Sequence, residues 1–88
     1  MVCTLEQVMA VLRLFAAARE AAGTGRDVIP GATVREVLDA AEARYGRPFA
    51  AVLVTSKVWR NGEEVPGDAP VTDGDEVAVL PPVSGGLG

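Results

Sequence analysis

The spacing of apolar positions changes several times along this chain, and each change marks an element. From Val8 the sequence reads VMAVLRLFA, with Val11, Leu12, Leu14 and Phe15 in close succession. Such a β-rich run predicts a strand. Met9 is a second potential start, which sets residues 1–8 apart as an extension. Ala16 to Ala22 (AAAREAA) is rich in helix formers and runs into Gly23, so a short helical turn is expected there. Gly23-Thr24-Gly25 reads as a turn, Arg26 to Ile29 as a second strand, and Pro30-Gly31 as its end. The clearest helix follows. Thr33 stands three residues before Glu36, the spacing at which each side chain satisfies a free backbone N–H at a helix start. Val34, Val37, Leu38, Ala41 and Tyr45 recur at helical spacing and form one stripe expected to be buried against a sheet. Gly46 and Pro48 are read as its stop.

The second half has a shorter rhythm. Phe49 to Leu53 fits either a helical turn or a strand. Lys57-Val58-Trp59-Arg60 alternates, and Asn61-Gly62 follows, a strong hairpin signal because both residues tolerate positive φ. Glu63-Glu64-Val65 is the expected return strand, residues 66–70 a loop, and Asp73-Gly74-Asp75 a turn. Glu76 to Leu80 is the last strand, stopped by Pro81-Pro82. The order is hairpin, helix, then further strands. One main helix covered by a mixed sheet of four or five strands accounts for it. The last strand is expected beside the first and parallel to it, since the chain between them is long enough for a crossover. This α+β arrangement is a β-grasp, spanning residues 9–82, with residues 83–88 as a flexible tail.

Composition narrows the chemistry. The chain has 88 residues, enough for one domain, and a net charge of −4. An acidic surface disfavours nucleic acid as a partner. There is no histidine, which removes the commonest general base and metal ligand. The single cysteine, Cys3, forms neither an internal disulfide nor a zinc cluster. No run of apolar residues is long enough for a membrane span, and no secretory signal is visible, so a cytoplasmic location is expected. Gly23-Thr24-Gly25 is no phosphate cradle, because Val28 breaks the glycine spacing. Glu63, Glu64, Asp68, Asp73, Asp75 and Glu76 mostly fall in turns, where carboxylates support backbone geometry. Trp59, alone on an alternating strand, is read as core, with a partner contact as the alternative. The C-terminal end is then the one group placed for reaction. Pro81-Pro82 gives a stiff exit, and Val83-Ser84-Gly85-Gly86 a thin tip suited to a narrow site on another protein. A frayed terminus is the plainer reading.

Two stretches make the tail specific. The head, Leu12-Arg13-Leu14-Phe15-Ala16-Ala17-Ala18-Arg19-Glu20, and the tail, Pro81-Pro82-Val83-Ser84-Gly85-Gly86, resemble the ends of the MoaD family. This is the small sulfur-carrying subunit of molybdopterin synthase, related to ThiS and ubiquitin. Gly31-Ala32-Thr33-Val34, Asn61-Gly62-Glu63 and Asp73-Gly74-Asp75-Glu76-Val77 fall in the family's order. The resemblance covers residues 9–86. It implies a carrier rather than an enzyme, with no cofactor of its own. An adenylating partner related to ubiquitin-activating enzymes would use ATP on Gly86, and a sulfur donor would convert the acyl-adenylate to a thiocarboxylate. The sulfur would leave in an acceptor such as the molybdopterin synthase large subunit. Pro81, Pro82, Val83, Ser84 and Gly85 would lie in the partner's site.

This sequence departs from that pattern at its end, where Leu87-Gly88 follow Gly86. Related carriers made with short extensions lose them to a metalloprotease, which implies processing between Gly86 and Leu87. The product could be molybdopterin, cysteine or another sulfur-containing metabolite. A ubiquitin-like modifier joined through Gly86 and a β-grasp interaction domain with an inert tail are the alternatives.

Overall fold

The computed structural model describes residues 8–82. The first strand, β1 (Met9–Leu14), leads through the short helix α1 (Ala16–Ala22) into β2 (Arg26–Pro30), which pairs with β1 antiparallel. Two helices come next, α2 (Val34–Tyr45) and α3 (Arg47–Thr55). The strands β3 (Lys57–Arg60), β4 (Glu63–Glu64) and β5 (Glu76–Leu80) complete a five-stranded sheet in the order β2-β1-β5-β3-β4. β5 lies parallel to β1 and antiparallel to β3. The β-grasp expectation holds, with three helices among the described residues: the expected short turn, the main helix and one more.

Strand alternation decides which side the helices cover. Ala10, Leu12 and Leu14 of β1 are buried, as are Val77 and Val79 of β5. Met9, Val11 and Arg13 alternate with them and are only half-buried, as are Ala78 and Leu80. The helices therefore pack on one face and leave the other open. Their contribution to the core is Ala18, Val34, Val37, Ala41 and Phe49.

The start of α2 obeys its signal with one shift. Thr33 Oγ1 accepts from Glu36 N–H at 3.2 Å, while the Glu36 carboxylate reaches one residue further back and accepts from Ala32 N–H at 2.8 Å. The stripe expected on α2 needs a correction. Val34, Val37 and Ala41 are fully buried, but Leu38 and Tyr45 are half-buried against the margin of the core. Leu38 instead lines a shallow groove of about 250 Å³ with Leu53 and Val54 of α3.

Gly46 ends α2 at φ 90, yet Pro48 does not end a helix; it lies in the first turn of α3. There a missing N–H costs nothing, because the first N–H groups of a helix have no partner inside it. This resolves the ambiguity over Phe49 to Leu53 in favour of helix. Phe49 is buried and meets the Tyr45 ring edge-on, with centroids 5.3 Å apart. No helix among the described residues is long and apolar enough to cross a membrane.

Candidate functional site at the root of the tail

β5 ends at Leu80, two residues before the described chain does, so its register fixes what surrounds Pro81 and Pro82. Leu80 pairs with Lys57 and Ala78 with Trp59. Ala78 also lies beside Arg13 of β1. These residues occupy the sheet face that no helix covers. Pro81 is buried and Pro82 exposed, so the first proline anchors the strand end and the second leaves the fold.

Trp59 is not core. The hairpin sets its register: Asn61 and Gly62 take φ 52 and φ 89, the double positive φ of a two-residue hairpin turn. With Trp59 opposite Ala78 on β5 and Glu64 on β4, its side chain falls on the open face and is half-buried. It joins Thr55, Lys57, Leu80, Pro81 and Pro82 around a mainly apolar groove of about 330 Å³.

The charges around this face are mostly paired. Arg13 binds Glu76 at 3.0 Å and lies over the ring of Phe15, 5.8 Å from its centroid. Lys57 lies 3.5 Å from Glu64. Two other carboxylates of the acidic set are committed to turns. Asp75 accepts from Thr72 N–H and from the Asn61 side-chain amide, at 2.8 and 3.0 Å. These hydrogen bonds, the Thr72 one first, hold its carboxyl below the usual value of 3.8. Asp73 accepts from Met9 N–H at 3.1 Å. Hydrogen bonding at these turns explains where those two carboxylates sit without any catalytic role.

Pro81 and Pro82 therefore lie together with Trp59 and Lys57. Val83, Ser84, Gly85, Gly86 and Leu87, the remaining sequence-derived site residues, lie outside the described residues. Thr55 and Lys57 of the groove were missed from sequence, where Trp59 reads first as core, with a partner contact as the alternative. For Trp59 the signal was available in principle, since counting back from the Asn61-Gly62 turn places Lys57 and Trp59 on one face. For Lys57 it was its singularity: it is the only lysine in the sequence.

Comparison with known proteins agrees with this geometry. No curated protein matches the sequence. Among solved structures, SAMP1 from Haloferax volcanii is 31% identical, with a TM-score of 0.76 over 86% of this chain and 97% of that one. A Pyrococcus furiosus protein described as subunit 1 of molybdopterin converting factor is 29% identical, with a TM-score of 0.76 over 86% and 99% of the two chains. The BexX/CysO complex from Amycolatopsis orientalis contains a chain 27% identical, with a TM-score of 0.74 over 85% and 97%. The ThiS family model matches residues 12–86, from the head in β1 to the second glycine of the tail, and this chain belongs to that family of ubiquitin-like sulfur carriers.

Proposed function

We propose that this chain carries sulfur on Gly86 as a thiocarboxylate. The observation behind the proposal is the strand end: Pro81 is buried, Pro82 is exposed, and an open apolar groove lies alongside. A rigid exit beside a docking surface lets a partner grip the folded domain while taking the tail into its own site. The family match, which extends to residue 86, supports the same end of the chain as the working end.

In this reading the chain binds no cofactor and supplies no catalytic group. A partner binds ATP and joins AMP to the Gly86 carboxylate, with pyrophosphate leaving. A sulfur donor then displaces AMP. The acceptor enzyme draws the sulfur off in making molybdopterin or another thio-metabolite. A molybdopterin converting factor subunit and a CysO bound to BexX among the similar structures support an acceptor of this kind.

Leu87-Gly88 block the chemistry as the sequence stands, because the Gly86 carbonyl is an amide without an anionic oxygen to attack ATP. We take the full chain to be a precursor that a protease trims after Gly86. Residues 1–86 and 1–88 are compared with the same adenylating enzyme, ATP and sulfide. Intact mass should show one oxygen-to-sulfur exchange in the shorter form alone. Equal exchange in both would overturn the precursor reading. A second reading, attachment of Gly86 to lysines of other proteins, is favoured by the 31% identity to SAMP1, a small archaeal modifier protein. A ladder of conjugates in cell extract, lost in residues 1–85, would establish it.

A further inference from the structure

Among the described residues the sheet ends in two edge strands, β2 and β4. Sheet edges invite a further strand, because their outward N–H and C=O groups lack a ladder partner. β4 is a poor template: it is two residues long, and both are exposed glutamates. β2 is the hazard. It runs for five residues, includes Val28 and Ile29, and leaves Val28 40% exposed.

The ladder shows which groups of β2 point outward. Gly31 N–H donates to Val8 C=O and Leu14 N–H to Gly25 C=O, each at 2.9 Å, at the two ends of the β1–β2 pairing. Hydrogen-bonded positions alternate in an antiparallel pair. Odd-numbered residues of β2 therefore bond to β1, and Arg26, Val28 and Pro30 turn their backbone groups away from it. Each outward donor is accounted for locally. Pro30 has no N–H. Arg26 N–H donates to Thr24 Oγ1 at 3.3 Å, and the Thr24 hydroxyl donates to Arg26 C=O at 3.0 Å. Val28 N–H donates to Asp27 Oδ1 at 2.8 Å. The other Asp27 oxygen accepts from Arg44 and Tyr45 at the end of α2, which keeps the carboxylate from swinging away.

We propose that Asp27 closes the β2 edge, and that without its side-chain oxygen a second copy of this chain adds its own β2 there. Val28 is the middle residue of β2, so antiparallel pairing about it is symmetric. In that pairing each Val28 N–H donates to the other copy's Val28 C=O, and the two exposed valine side chains meet. Each Arg26 N–H turns from Thr24 to the other copy's Pro30 C=O. In the intact chain Asp27 Oδ1 takes the place of the incoming carbonyl, so the central bond cannot form. With β2 shut and β4 short and acidic, the sheet offers a partner its open face and not a strand edge. The inference stands apart from the carrier reading.

Sedimentation equilibrium compares the parent with Asp27→Asn, which keeps an oxygen for Val28 N–H, and with Asp27→Ala, which does not. The parent and Asp27→Asn are expected to stay monomeric, and Asp27→Ala to dimerise. Adding Val28→Pro to Asp27→Ala removes the released N–H without breaking a bond to β1, and should restore the monomer. Amide exchange followed by NMR reads the cap directly and needs no variant to fold. Val28 N–H in the parent should exchange more slowly than an amide of an unfolded chain, by about five-fold or more for one hydrogen bond. In Asp27→Ala its exchange should slow as protein concentration rises. A monomeric Asp27→Ala, a dimeric Asp27→Asn, a dimer that survives Val28→Pro, or a parent Val28 amide exchanging at the unfolded rate would each overturn the proposal.

Discussion

Gly31 is held by space rather than by torsion. A Cβ there would lie 2.7 Å from the Val37 backbone nitrogen and 2.8 Å from Val37 Cγ2. Both atoms belong to α2 where it enters the core, so neither can move alone. Gly31→Ala is expected to cost about 1–3 kcal/mol, the range for overpacking. A melting temperature within error of the parent would show that α2 can shift. Asp27 makes a different kind of tie. Its carboxylate accepts from the Tyr45 hydroxyl and from Arg44, the latter at 2.8 Å, fastening β2 to the end of α2. The Tyr45 hydrogen bond is the chief reason that its carboxyl falls below 3.8. Tyr45 moves the other way: burial first, then the bond to Asp27, push its hydroxyl from 10.0 up to about 12. The signs follow from linkage. Asp27 contributes stability that is present above its unfolded value and lost as pH falls through the lowered one. Tyr45 contributes stability that is present below 10.0 and lost as pH rises towards about 12. Tyr45→Phe should therefore cost about 1 kcal/mol near neutrality. Melts across pH should show that gap narrowing in both acid and alkali. A gap constant from acid to alkali would mean that the ring, not the hydroxyl, is what matters.

The helices show where pattern stops being informative. On α2 the period alone cannot separate a residue at the centre of the buried face from one at its edge. Val37 and Leu38 are adjacent in sequence, but Val37 faces the sheet, while Leu38 leans towards α3 and keeps contact with water. Val37→Ala is expected to cost about 2 kcal/mol or more, because it leaves a void in a closed core, and Leu38→Ala clearly less. Denaturant midpoints of the two variants test the order, and a larger loss at Leu38 would reverse the assignment of faces. The strands were legible because their signals are local. Asn61-Gly62 fixes one hairpin, and the apolar run before Pro81-Pro82 fixes the last strand. The second helix of the crossover was not. Pro48 stops or starts a helix equally well, and the β-branched Val52, Val54 and Thr55 suit a strand. What selects α3 is Phe49, whose burial against Tyr45 is a tertiary contact that no window of sequence contains. The same holds for Trp59. Its alternation is local, but the side it faces depends on pairing with β5, some twenty residues further along the chain.

At the scale of the molecule, the sheet divides labour between its faces. One face, with Leu12, Leu14, Val77 and Val79, is spent on stability. The other, with Val11, Ala78, Leu80 and Trp59, remains half-open beside Pro81 and Pro82. The tail is too short to act alone. Six residues beyond Leu80 span at most about 20 Å when extended. On the proposed carrier reading, Gly86 enters a recessed active site, so the domain must dock close to its mouth, and the open face is the surface beside Pro81 and Pro82. Aromatic residues in such positions carry a large share of binding energy. Trp59→Ala should therefore raise the KM for the adenylating partner by about ten-fold or more, a loss of a single contact residue, while leaving kcat near its parent value, since Trp59 lies well before the reacting carbonyl. The melting temperature serves as control, because Trp59 lies outside the buried core. A synthetic peptide of residues 81–86 makes the complementary test. It contains every tail residue but no docking face, so its kcat/KM should fall far below that of residues 1–86. If the peptide were adenylated as efficiently as the folded carrier, or if Trp59→Ala lowered kcat alone, the partner would be reading the tail by itself and the open face would have no part in recognition.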